Sequence, residues 1–252
     1  MSIPLSSLVE AMQNELQVAT IVDYPPAHNG LQLMNRSGDV RKVVAAVDAC
    51  LPVIQRACEL GANLLLVHHG MFWNGVQMFT GSMFEKIKLA MDHDLAIYSV
   101  HLPLDYHATL GNNVLLGRAC GLDNAVTFGD GKFLGHKFAV DLDRTKFVER
   151  VCQAVDGSRV HLCPGGPQRI RNVAVLTGAA GSEIEKISRY GIDTLLTGEG
   201  PHWSYTLAEE LGVNLIYAGH YATETFGVKA LAAWLQAGFG LPWEFIDHPS
   251  GL

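Results

Sequence analysis

Cysteine is scarce. Five thiols (Cys50, Cys58, Cys120, Cys152 and Cys163) are scattered over 252 residues, odd in number and never spaced as C-x-x-C. That excludes a disulfide scaffold, argues against a thiolate zinc site and suits a reducing compartment. Long apolar runs are also lacking: residues 64–67 and 97–100 fall well short of the roughly 18 residues that a membrane span needs. The start, Met1-Ser2-Ile3-Pro4-Leu5, has no basic stretch followed by an apolar one, so a cytoplasmic location is expected and a membrane partner is not. Basic excess is missing too. Lys and Arg number 18 against 25 Asp and Glu, a formal net charge of -7, which opposes binding to nucleic acid by phosphate neutralisation. What remains is 48% apolar with 26 glycines and 11 histidines. A chain of this length buries roughly 70–75% of its unfolded surface, enough for one large or two ordinary domains without staples.

Hydrophobic periodicity orders the chain. Val43-Val44-Ala45-Ala46-Val47 reads as a buried strand, residues 51–60 as a helix closed by Gly61, and Asn63-Leu64-Leu65-Leu66-Val67 as a second buried strand. Strand, helix, strand implies a right-handed crossover and parallel pairing. Residues 84–93 add a helix and 95–100 a strand. The second half follows the same plan: strand 173–176, a turn at 178–181, and Ser182-Glu183-Ile184-Glu185 as a capping box opening a helix to Tyr190. Strand 193–197, helix 204–211 and strand 213–217 come next. Residues 44–73 and 173–203 run in step with one insertion, which places Val67-His68-His69-Gly70 on Thr197-Gly198-Glu199-Gly200. Ile97-Tyr98-Ser99-Val100-His101 likewise falls on Ile216-Tyr217-Ala218-Gly219-His220. An internal duplication is the simplest reading. The expected fold is α/β, with two related, interlinked domains of mostly parallel sheet: residues 1–126 plus 220–252, and 127–219. Residues 126–168 then hold the connection and a strand pair around Phe138-Ala139-Val140. Gly129-Asp130-Gly131-Lys132 lacks the glycine spacing and hydroxyl of a phosphate-binding loop and reads as a turn.

His68 and His69 follow a buried strand, at the carboxyl end where open α/β sheets place their sites. Adjacent residues on a strand point opposite ways, but a bend at Gly70 lets both imidazoles reach one place. His101-Leu102-Pro103-Leu104-Asp105 and His220-Tyr221-Ala222-Thr223-Glu224 each join an imidazole to a carboxylate four residues on. Divalent transition metals favour this mixture, and the number of donors suits two ions. Pro103 makes Asp105 a turn residue, whereas a helix beginning near His220 puts Glu224 on the same face. His101 and Glu199 are candidates for proton transfer or for supporting the ligands. The other histidines, His136 among them, have no partner at a diagnostic spacing.

This constellation resembles the Nif-three-like family of dinuclear-metal-centre proteins, whose bacterial members are often labelled GTP cyclohydrolase I type 2 homologues. The likeness extends to the Asn29-Gly30-Leu31-Gln32 turn and to Asp48 after the first long strand. It implies two linked α/β domains, a homohexamer, and two divalent ions (iron, zinc or manganese) on His68, His69, Asp105, His220 and Glu224. Two functions are compatible with it. One is a metal-dependent hydrolase acting on a nucleotide-like small molecule, with His101 or Glu199 moving the proton. The other is a non-catalytic, ring-shaped metal-binding scaffold or interaction protein.

Overall fold

In the computed structural model, residues 2–75, 77–130, 133–156 and 159–252 are described; Gly131 and Lys132 of the expected turn lie outside them. The first elements are β1 (Ile3–Pro4), α1 (Leu5–Glu15), β2 (Gly30–Leu33), β3 (Asp39–Val40), β4 (Val43–Asp48), α2 (Leu51–Glu59), β5 (Leu64–His69), α3 (Gly81–Asp92), β6 (Ala96–Ser99) and the single turn α4 (Leu102–Asp105). Then come α5 (Asn112–Ala119), β7 (Val126–Asp130), β8 (Phe133–Asp143), α6 (Arg144–Ala154), β9 (His161–Pro164), β10 (Arg169–Val175) and α7 (Ile184–Ser188). The chain ends with β11 (Thr194–Thr197), α8 (His202–Leu211), β12 (Asn214–Tyr217), α9 (His220–Thr223), α10 (Thr225–Phe239) and β13 (Trp243–Phe245). Two units result: Met1–Leu104 with Gly227–His248, and Asp105–Phe226 with Pro249–Leu252. Among the described residues no helix is long and apolar enough to cross a membrane.

The first unit carries a five-stranded sheet in the order β13-β4-β5-β6-β2. All its pairs are parallel except β2 on β6. Every residue of 43–47 and 64–68 is buried, the uninterrupted pattern of strands covered on both faces. On one face Val53, Ile54 and Ala57 of α2 and Met83 and Ala90 of α3 pack against Val44, Ala46, Leu65, Val67 and Ile97. Truncating Leu65 to Ala in this fully buried layer should cost about 2–5 kcal/mol in urea unfolding, a loss that a surface change such as Glu59→Ala would not reproduce.

The second unit's sheet runs β7-β8-β10-β11-β12-β9, with β10, β11 and β12 parallel and the flanking strands antiparallel. Leu116, Phe147 and Val151 cover one face over Val173, Val175, Leu196 and Ile216. Ile184, Ile187 and Ala208 cover the other over Ala174, Leu195 and Leu215. Both units therefore hold three consecutive parallel strands joined by two helices, the order that the sequence repeat implied.

The units divide at 104/105 and 226/227, not at 126/127 and 219/220. The reason is packing: Leu116, Cys120 and Leu122 join the core of Phe138, Phe147 and Val173, and Ala222 and Phe226 pack there as well. The expected capping box does not form. Residues 180–183 make a tight 3-10 turn without a side-chain cap. There the Ala180 N–H donates to Thr197 Oγ1 (3.1 Å) and the Gly181 N–H to the Glu199 carbonyl (3.0 Å).

Candidate metal centre

In the first unit, strand register and turns bring three imidazoles together. His68 and His69 end β5, and His101 follows β6, one strand over. The ring centroids of His68 lie 4.8 Å from His69 and 4.9 Å from His101, and one nitrogen from each ring lies within 4.8 Å of the others. Each ring is held at Nδ1. His68 Nδ1 is 3.0 Å from the Val100 carbonyl, His69 Nδ1 is 2.9 Å from Asp48 Oδ1, and His101 Nδ1 is 2.8 Å from Asp23 Oδ1. Carbonyls and carboxylates only accept, so Nδ1 carries the proton and a neutral ring keeps its lone pair on Nε2. Asp48 reaches His69 because the two residues are paired directly across β4 and β5.

Asp23 is the hub of the His101 turn. Its Oδ2 accepts from Asn29 Nδ2 (2.8 Å) and the Leu102 N–H (2.9 Å), while Asn29 Oδ1 accepts the His101 N–H (2.7 Å). Burial alone would raise its pKa, but the hydrogen bond and charge of His101, with Asn29 and the Tyr24 N–H, hold it below the usual range. Gln32 fixes the bend after His69: its Oε1 accepts the Met71 N–H at 2.7 Å, and a Cβ on Gly70 would fall on its amide. Trp73, partly exposed, places its ring 4.6 Å from His101 and 5.2 Å from His69.

In the second unit, Asp105 is buried and accepts hydrogen bonds from Asn112 Nδ2 (2.8 Å) and Thr177 Oγ1 (3.0 Å). His220 stands between two carboxylates, with Nδ1 2.8 Å from Glu199 Oε1 and Nε2 3.2 Å from Glu224 Oε2. Burial disfavours its protonation, yet the hydrogen bonds and charges of Glu224 and then Glu199 outweigh that and push the imidazole up to about 9. Glu224 is itself buried, at the junction of α9 and α10. A Cβ on Gly178 would land on its Oε1, so a bare glycine makes room for the carboxylate.

Nε2 of His220 lies 3.2 Å from Glu224 Oε2, and all four histidines share one arrangement at Nδ1, which lies against an oxygen acceptor. This is how metal-binding imidazoles are oriented. Buried imidazole and carboxylate donors of this kind fit divalent transition metals.

A family model for Duf34/NIF3 (NGG1p interacting factor 3) matches residues 3–250. The chain belongs to the Duf34/NIF3 family. A relative from Deinococcus radiodurans named GTP cyclohydrolase 1 type 2 homolog is 42% identical, covering 91% of this chain and 88% of its own. A protein of the same name from Pyrococcus abyssi is 38% identical over 92% of this chain and 94% of its own. The crystal structure of a protein from Thermus thermophilus matches with a TM-score of 0.90 at 36% identity, covering 99% of this chain and all (100%) of that one.

Within this NIF3 chain, His68, His69 and His101 gather in the first unit, and His220, Glu224 and Glu199 in the second. Asp105 sits in the second unit on its own hydrogen-bond network. Sequence reading missed Asp23, Thr177, Asn112 and Trp73. Among the supporting groups Asp48 and Glu199 had a local cue, each lying at or just past the end of a buried strand. Two thiols are poor nucleophiles: partial burial and then the charge of Glu59 push Cys58 up to about 11, and burial pushes Cys120 up to about 12.

Proposed function

We propose that this chain is a metal-dependent hydrolase of a small, nucleotide-like substrate, working in the cytoplasm as a homohexamer. His68, His69, Asp105, His220 and Glu224 would hold two divalent ions, of iron, zinc or manganese. The observation that carries this reading is the uniform anchoring of every candidate imidazole at Nδ1, which presents Nε2 as a donor. Divalent ions so held lower the pKa of water toward neutrality and polarise the bond to be cleaved. The chain's own residues do the rest. Asp48 and Glu199 fix the orientation of His69 and His220. His101, tied to Asp23, and the half-exposed Glu199 would accept and return a proton. The names of the relatives support a cyclohydrolase-type reaction, a ring-opening addition of water.

A second reading, a non-catalytic scaffold, draws on one feature: Met78, Phe79, Phe84 and Met91 of the first unit are 84%, 62%, 47% and 61% exposed, large apolar side chains of the kind that protein contacts cover.

The deciding experiment is elemental analysis of protein purified without added metal, followed by turnover assays on GTP and other cyclic amidines and phosphoesters. Two ions per chain are expected. Glu224→Gln should lower metal retention and turnover together, chelation should abolish turnover, and restored metal should recover it. Glu199→Gln should weaken metal affinity roughly 10–100-fold, as loss of a ligand-orienting group does. Metal-loaded protein that turns over none of these substrates above a metal-free control would leave the scaffold as the better reading.

A further inference from the structure

A cavity of about 400 Å³ opens in the second unit, lined by His161, Gly200, Pro201, His202, Tyr205 and Tyr217. Its volume falls in the range of small-molecule sites, roughly 300–1,000 Å³. It stands at the carboxyl ends of β11 and β12, the edge where parallel sheets bind ligands. Register builds it: Tyr217 on β12 is paired directly with His161 on β9. The first turn of α8 adds His202 and Tyr205, and the His161 and Tyr205 rings lie 5.7 Å apart.

The Tyr217 wall is rigid. Its ring lies against two glycines, because a Cβ on Gly200 would come within 2.7 Å of the Tyr217 hydroxyl and one on Gly181 within 2.9 Å of the ring edge. Its hydroxyl is hydrogen-bonded to Ser204 Oγ. Ser204 spends its only proton on the Pro201 carbonyl (2.5 Å), so Tyr217 is the donor in that bond and its oxygen keeps lone pairs for another donor. Among the described residues the lining holds no Lys, Arg, Asp or Glu. It therefore selects neither a phosphate nor a cation. Four aromatic rings supply stacking faces, while imidazoles and a phenol oxygen supply hydrogen bonds at the ring edge.

We propose that this cavity binds a flat nitrogen heterocycle, recognised by stacking on Tyr205 and Tyr217 and by hydrogen bonds to its polar edge. The site belongs to the second unit alone and does not rest on the metal reading, although Gly200 directly follows Glu199, the carboxylate that orients His220.

The test is calorimetric titration of the full chain, as purified and again after chelation, with inosine as the probe and with ribose and cyclohexanol as controls. Inosine should bind once per chain in both states, and neither control should. Tyr205→Ala and His161→Ala should each weaken inosine by about tenfold, the loss expected when a base-stacking aromatic is removed. Thr206→Ala, on the same helix outside the lining, should not. The proposal falls if inosine does not bind or if cyclohexanol binds as well. It falls too if both substitutions leave inosine unaffected, or if Tyr205→Ala shifts the solution mass, which would make the cavity a contact between copies. Inosine binding that vanishes on chelation would move the ligand to the metal donors and overturn this site, while leaving the hydrolase reading intact.

Discussion

Acidification from pH 7 to pH 4 is expected to destabilise the second unit by about 3 kcal/mol through one histidine, and His136→Leu should abolish that loss. His136 is 2% exposed on β8, and neither ring nitrogen has a hydrogen-bond partner among the described residues. Burial, then the positive charges of Arg118 and His107, push it down from 6.5 to about 4. The folded state thus binds fewer protons than the unfolded chain across this window. Stability is full above pH 6.5, falls as the unfolded chain takes up its proton, and levels off below pH 4. Leucine has similar bulk and leaves no partner stranded, so at pH 7 the variant should match the parent within about 1 kcal/mol. Carboxylates that titrate in the same range affect both chains equally, so the difference between them isolates His136. Urea unfolding at the two pH values, with amide exchange read on β8 and β10, measures it. Parallel pH profiles for parent and variant would show that this imidazole is not held neutral.

His136 illustrates what the sequence concealed. It has no partner at a diagnostic spacing, and on β8 it is paired with Thr127 of β7 and Val175 of β10, neighbours that only the fold brings together. Continuous apolar runs did identify β4, β5, β6, β10, β11 and β12, since runs as short as Leu64 to Val67, bounded by turn residues, suit strands covered on both faces. The halves also aligned, because glycine-bounded polar turns follow corresponding strands. That alignment pointed to His68, His69, Glu199 and His220. It could not point to Asp23, which lies 78 residues before the histidine it holds, or to Thr177, 72 residues after Asp105. Supporting groups at such separations leave no local pattern. The domain boundary failed for a related reason: the partners of Leu116 and Cys120, Phe138 and Val173, come later in the chain, so periodicity could not say which core they would join.

The Gly198→Ala variant should unfold at least about 3 kcal/mol more easily than the parent and should retain little metal. Gly198 lies where the ends of β10, β11 and β12 converge. Its N–H and that of Glu199 both donate to the Gly178 carbonyl at 2.9 Å, and its carbonyl accepts the Gly219 N–H at 3.0 Å. A Cβ there would meet Gly178 O at 2.6 Å, His220 Cα at 2.7 Å and Gly219 O at 2.9 Å. All three are backbone atoms, so no rotamer change relieves the overlap. The strands must part, and the two segments that part carry Glu199 and His220, whose 2.8 Å contact orients the imidazole. Loss of such an orienting bond weakens metal binding roughly 10–100-fold. Gly191→Ala is the contrasting control: its φ of +71° is unfavourable for alanine, a strain that Gly198 does not carry, and nothing lies within 4 Å of the new methyl. It should cost only about 1–2 kcal/mol of backbone strain and leave metal binding unchanged. Thermal melts and metal titrations of the two variants separate overlap from strain, and a Gly198→Ala chain that melts and binds metal like Gly191→Ala would show that the strand ends can spread without moving His220.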